Sequence, residues 1–299
     1  MSKFDRRTMM RTGAALIAAP AVLKAAAAQA QGVAPVANPV PEVRAMLFDV
    51  FGTVVDWRNG VAREAERILK PLGYSLDWLN FADQWRAQYQ PGMQPIRDGR
   101  EPFARLDVIH GRMLDLIKPR FGLDKIDDAT QAELTLAWHR LDAWKDVGPG
   151  FARLRTRYML CPCSNGNIAL VADIGRRNDL RWHAVLGSEI AQDFKPKPRV
   201  YLASAEALNL KPGECMMVAA HSYDLKAAAS AGLRTGHVGR PGEGGPGTGE
   251  TSPKYAFDVV GKNFEDFAGK IVCEDEQIAE FRPILRSSIG DSVQSVRDL

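Results

Sequence analysis

Strand-like and helix-like segments alternate through most of this 299-residue chain, and that rhythm is what most restricts its fold. Ala45–Phe48 is apolar at every position, as a strand covered on both faces of a parallel sheet must be. Tyr158–Cys163 reads as a second strand, with a helix predicted over Ile168–Asn178. His183–Leu186 follows as a short strand before a helix over Val200–Leu208. Cys215–Ala220 then precedes a helix over Asp224–Ala231, and Arg234–Val238 closes the series. Parallel neighbours joined by helices require right-handed crossovers, so the predicted class is α/β, a Rossmann-like doubly wound parallel sheet.

Residues 61–145 interrupt the alternation with helical segments only. Val61, Ala65, Ile68, Leu69 and Leu72 share one helical face, as do Leu134, Trp138 and Leu141. This stretch is expected to be an inserted helical cap that divides the catalytic core into residues 43–60 and 146–270. Residues 31–42, small and proline-dotted, read as a linker. Residues 271–299 read as a C-terminal extension whose one apolar stretch, Ile278–Leu285, is broken by Pro283.

Residues 1–11 are basic, Thr12–Leu23 is apolar, and Ala28-Gln29-Ala30 has the small-x-small pattern of a cleavage site, which together predict an export signal over residues 1–30. The apolar run is too short for a stable membrane span. Adjacent Arg6 and Arg7 resemble a twin-arginine signal, which makes the Tat export machinery the expected partner and the periplasm the expected destination. Beyond residue 30 the chain carries 34 basic against 35 acidic groups, a balance that argues against nucleic acid as a partner. Cys161, Cys163, Cys215 and Cys273 lack the paired spacing of a zinc site and are expected to be buried apolar residues.

The chemistry-bearing residues cluster by position. In open α/β sheets ligands bind beyond the carboxyl ends of the strands, where strand order reverses. Asp49 and Thr53 follow the first strand, Ser164 and Asn165 the second, Lys195 the third and Asp224 the fourth. That places two carboxylates, an ammonium, hydroxyls and an amide around one crevice.

In four ordered segments, Phe48 to Asp56, Ser164-Asn165-Gly166, Lys195-Pro196 with Val200-Tyr201, and Val218 to Asp224, the chain resembles the haloacid dehalogenase superfamily and, within it, the L-2-haloacid dehalogenases. The resemblance covers roughly residues 43–270. It implies a Rossmann-like core with a helical cap and a small anionic substrate. It also implies that Asp49 is the nucleophile that displaces halide from C2 of a 2-haloacid, giving an ester that water hydrolyses to a 2-hydroxy acid. By the same resemblance Ser164 and Lys195 would hold the substrate carboxylate and the nucleophile, Thr53 would bond near Asp49, and Asn165 would help receive the halide. Asp224 would orient or deprotonate water. Arg86 matches the cap arginine that binds the departing halide, and Tyr201 a tyrosine near the lysine. Phe103 or Leu106 would line the halide pocket. Helical caps offer dimer surfaces in this family, so a homodimer is an option.

Phosphatase relatives carry a second Asp two positions after the nucleophile, because an alkoxide leaving group must be protonated. This chain has Phe51 there. A halide needs only stabilisation of its charge, so the phenyl ring favours carbon–halogen cleavage, and neither a metal nor a cofactor is expected. Where familiar members read Ser-Ser-Asn, this chain has Ala219, Ala220 and His221, and His221 is a candidate to replace the amide in positioning water. Two alternatives stay open: a superfamily hydrolase acting on another small substrate such as a phosphate ester, and an exported binding protein without turnover.

Gly242 to Gly247 matches a dinucleotide fingerprint as a string. Pro246 and the glycines after it discourage the helix that such a site needs, so the segment reads as a flexible loop at the mouth of the site.

Overall fold

The computed structural model describes residues 38–272. The predicted export signal, most of the predicted linker, Cys273 and the stretch Ile278–Leu285 lie outside the described residues.

Six parallel strands form one sheet: β1 (Ala45–Phe48), β2 (Met159–Ser164), β3 (Leu186–Gly187), β4 (Cys215–Ala219), β5 (Arg234–Val238) and β6 (Val259–Gly261). Their order is β3-β2-β1-β4-β5-β6, so the chain winds outward from β1 in one direction and resumes at β4 in the other. Asp49 leaves β1 at that reversal, where an open sheet opens a crevice. Alternation along the strands sorts the core into two layers. Met46, Phe48, Leu160, Met216 and Val218 join one apolar cluster, whereas Ala45, Leu47, Cys161, Cys163, Cys215 and Met217 join the other. The three described cysteines are therefore core residues, and burial pushes the Cys161 and Cys163 thiols up to about 11.

The cap consists of α1 (Trp57–Leu69), α2 (Trp78–Ala87), α3 (Tyr89–Arg97), α4 (Leu106–Ile117) and α5 (Asp128–Thr135), with short 3-10 turns between them. Asp56, Asp77 and Asp127 cap the first, second and fifth by accepting backbone N–H bonds, which fixes where each helix starts. The first helix begins at Trp57, four residues before the sequence-based cap boundary. Trp57, Trp85 and Trp138 from the cap pack with Phe51 from the core in a single apolar cluster.

The core helices are α6 (Val147–Leu154), α7 (Ile168–Arg177), α8 (Ser188–Ala191), α9 (Pro198–Ala207), α10 (Ser222–Ser230) and α11 (Phe264–Ile271). Two features depart from the sequence reading. Instead of a strand over 183–186, β3 holds only Leu186 and Gly187, because the His183 ring accepts the Leu160 N–H at 3.0 Å in place of a backbone carbonyl. The pair β6 and α11 was not expected, since three residues between a polar loop and a glycine carry almost no pattern. Among the described residues no helix is long and apolar enough to cross a membrane.

Candidate active site

The loop after β1 presents a carboxylate whose two oxygens are both engaged. Asp49 Oδ1 accepts from Lys195 Nζ at 2.8 Å, and Oδ2 accepts from Thr53 Oγ1 at 2.7 Å. Thr53 Oγ1 itself receives the Ala220 N–H at 2.9 Å, so its proton points to Asp49. Lys195 reaches across from the segment between α8 and α9. Its backbone N–H donates to Asn165 Oδ1 at 2.8 Å, and the same oxygen receives the Ser188 hydroxyl at 2.9 Å. Lys195 Nζ also donates to Asp224 Oδ2 at 2.5 Å, while Tyr201 donates to Asp224 Oδ1 at 2.5 Å. Asp224 is thus occupied on both oxygens and faces the ammonium.

These contacts fix the charges. Burial alone would raise the Asp49 carboxyl, but the Lys195 ammonium and His221 outweigh it and hold Asp49 well below the usual carboxylate range. Burial would lower Lys195, yet Asp224 and Asp49 hold it well above its ordinary value. Asp49 is therefore an anion and Lys195 a cation.

His221 sits just before α10, between two carboxylates. Its Nδ1 lies 3.0 Å from Asp49 Oδ2, close enough for an ion pair but out of line for a directed hydrogen bond. Its Nε2 lies 2.7 Å from Glu243 Oε2, and Glu243 Oε1 accepts from Trp57 Nε1 at 3.1 Å. Burial would lower the imidazole, but Asp49 and Glu243 raise it to about 10. The loop that delivers Glu243 is anchored by Arg240, whose Nε donates to the Thr53 carbonyl at 2.8 Å and whose Nη1 is paired with Asp146 at 2.9 Å.

A cavity of about 950 Å³ opens above this network, lined by Trp57, Arg86, Tyr89, His221, Tyr223 and Glu243 among others. Asp49 lies beneath His221 and keeps a tenth of its side chain exposed. The Arg86 guanidinium lies 3.8 Å from the Tyr89 ring centre, 5.3 Å from Trp57 and 5.8 Å from Phe51, and its buried Nη1 has no hydrogen-bond acceptor. Ser164 Oγ accepts the Gly166 N–H at 3.0 Å, which leaves the hydroxyl proton for another acceptor.

The model of the haloacid dehalogenase-like hydrolase family matches residues 43–232. The chain belongs to the haloacid dehalogenase-like hydrolases. A defluorinating L-2-haloacid dehalogenase of known structure is 38% identical, with 80% of this chain and 99% of that one aligned at a TM-score of 0.75. Another L-2-haloacid dehalogenase structure is 39% identical over 76% of this chain and 97% of its own, with a TM-score of 0.72. Among curated proteins, (S)-2-haloacid dehalogenase 4A of Burkholderia cepacia is 26% identical over 73% of this chain and 89% of its own length.

In this dehalogenase-like site Asp49, Thr53, Lys195, Asp224, Tyr201 and His221 form one continuous contact network, with Asn165 holding the Lys195 backbone. Phe51 and Arg86 sit in the aromatic wall above it. Asp224 was expected to orient or deprotonate water. In the structure its side chain is 2% exposed and each oxygen accepts one hydrogen bond, from Lys195 and from Tyr201, which places it as the counter-ion of Lys195. Phe103 packs against Phe194 with ring centres 5.3 Å apart and Leu106 is buried in the core, and neither lines the cavity. That apolar lining comes from Trp57 and Tyr89. Glu243 escaped the sequence reading, although the loop carrying it lies at the carboxyl end of β5, where an acidic residue is a candidate by position alone. The donor set does not fit a divalent cation: Asp49 and Asp224 face the Lys195 ammonium, and a phenyl ring stands where the phosphatase branch has its second carboxylate.

Proposed function

We propose that the protein hydrolyses short (S)-2-haloalkanoic acids to 2-hydroxy acids through an aspartyl ester on Asp49. The observation that carries this reading is an anionic Asp49 held by an ammonium and a hydroxyl, with Phe51 where a proton donor to an oxygen leaving group would stand. The names of the similar dehalogenases support it.

In the first step an Asp49 oxygen attacks C2 and the carbon–halogen bond breaks, its electron pair leaving with the halide. The unpaired Arg86 Nη1 and the aromatic edges around it supply the halide's site. The free Ser164 proton and the Lys195 ammonium suit the substrate carboxylate. Esterification removes the Asp49 charge, and with it part of what keeps His221 protonated. His221 then releases its Nδ1 proton, while Nε2 stays bound to Glu243, and Nδ1 takes a proton from water as the hydroxyl adds to the ester carbon. The proton passes to the departing alkoxide, and the proton left on Asp49 moves to His221 Nδ1, which restores the carboxylate and the imidazolium and leaves one proton released per turnover.

Single turnover of excess enzyme with (S)-2-chloropropionate in oxygen-18 water tests the scheme. The first-turnover product should carry unlabelled oxygen from Asp49, and Asp49→Asn should be folded and inactive. Label in that first product would overturn the nucleophile assignment. We also propose a periplasmic location, on the strength of residues 1–30 alone.

A further inference from the structure

The cap touches the catalytic lysine's own backbone through one buried cation. Arg97, the last residue of α3, is 8% exposed. Its Nη2 donates to the Gln90 carbonyl at 2.8 Å, and its Nη1 donates to Gln90 Oε1 at 2.7 Å and across to the Lys195 carbonyl at 3.1 Å. Among the described residues no carboxylate lies in ion-pair range of it. Its Nε is buried without an acceptor, and a buried guanidinium held only by neutral oxygens is costly to desolvate, more so than an amide that would make the same helix tether. Lys195 is thus gripped on both sides of its Cα: the core holds its N–H through Asn165, and the cap holds its C=O through Arg97. Next to it, Phe103 of the cap packs against Phe194.

We propose that Arg97 is a positioning residue, through which a seated cap holds the Lys195 ammonium against Asp49. The proposal rests on the reading of Asp49 and Lys195 above. Arg97 borders the same cavity, and its positioning role runs through the Lys195 backbone. Its loss leaves the lysine on a backbone held from one side, and small displacements of a catalytic group cost up to about a hundredfold in rate.

The test compares wild type, Arg97→Met and Arg97→Lys by halide release from 2-chloropropionate across pH, with thermal unfolding as the folding control. For Arg97→Met the expected result is a kcat about tenfold to a hundredfold lower, with KM changed less than about threefold. The acid limb of kcat/KM should also move to higher pH, because a displaced ammonium holds Asp49 ionised less well. Arg97→Lys, which keeps the charge and one donor, should recover part of the rate. Unchanged kcat and acid limb, or a rise confined to KM, would overturn the proposal; the latter would make Arg97 a substrate-binding group. If Arg97→Met does not fold, the same shifts in weaker form must appear in Arg97→Lys. If wild type releases no halide, the dehalogenase reading fails by itself. Arg97 is then judged by acetylation of Lys195, mapped by peptide mass, which should rise severalfold in the variants and would refute the proposal by staying at the wild-type level.

Discussion

Glu243 occupies the space that a side chain on Gly52 would need: a Cβ at residue 52 would come within 1.9 Å of Glu243 Oε1. Gly52 also has φ +87°, in the left-handed region where other residues are strained. The loop after Asp49 therefore turns tightly enough for the β5–β6 loop to lay a carboxylate over it. Gly52→Ala should push Glu243 away from His221 and slow ester hydrolysis more than ester formation. Rapid-quench kinetics should then show a burst of halide followed by a slow steady state, and a uniformly slowed reaction without a burst would contradict that division.

Removing the carboxylate while keeping the loop isolates its electrostatic part. Glu243→Gln leaves an amide beside His221 Nε2 but deletes one of the two anions that raise the imidazole. We expect kcat to fall by about tenfold to a hundredfold, no more than the lower end of what a general base contributes, because the imidazole itself remains. The aspartyl ester should accumulate to a level visible by intact-protein mass. A variant with wild-type kcat and no trapped ester would take His221 and Glu243 out of the hydrolytic step.

How far the sequence discloses this arrangement depends on what each residue relies on. Ala45–Phe48 coincides with a strand because burial on both sheet faces imposes an apolar pattern locally, and Arg234–Val238 coincides with one although only Val238 in it is apolar. Asp49, Thr53 and Asp224 are legible because strand ends place side chains at the crevice, whereas Lys195 comes from the segment between α8 and α9 and is set there by its bond to Asn165. Glu243 is not legible. Its position is set by the path of a loop with left-handed glycines at 244, 245 and 247 and by the Arg240 anchor, and a glycine-rich string states neither. Arg97 likewise depends on how the cap lies on the core, a relation between segments about a hundred residues apart.

His221 should also leave a mark on stability. Its folded-state value of about 10 exceeds the ordinary 6.5, so its stabilising effect is complete below 6.5 and is lost as pH rises through 10. The wild-type unfolding temperature is expected to fall across that interval. His221→Gln should flatten the fall, and parallel curves for the two proteins would show that the imidazole is not charged in the folded state.

Lys195 provides the most demanding case, because its side chain is 5% exposed and separates two carboxylates exposed by 10% and 2%. Lys195→Met leaves Asp49 with His221 as its one remaining cation and leaves Asp224 a buried carboxylate with none, and breaking a buried pair from one side costs about 3–5 kcal/mol. The pH dependence should change sign as well. In wild type the Asp49 carboxyl is depressed, so its contribution is present above the unfolded carboxylate value near 4 and is lost as the solution is acidified below it. In the variant the carboxylates repel each other, at least one is raised, and protonation relieves the folded state. Urea unfolding at pH 7 and pH 5 should therefore show the gap between the two proteins narrowing at the lower pH. A gap that stays constant would mean that the lost stability comes from packing of the lysine stem, and that the ammonium does not govern the charge of Asp49.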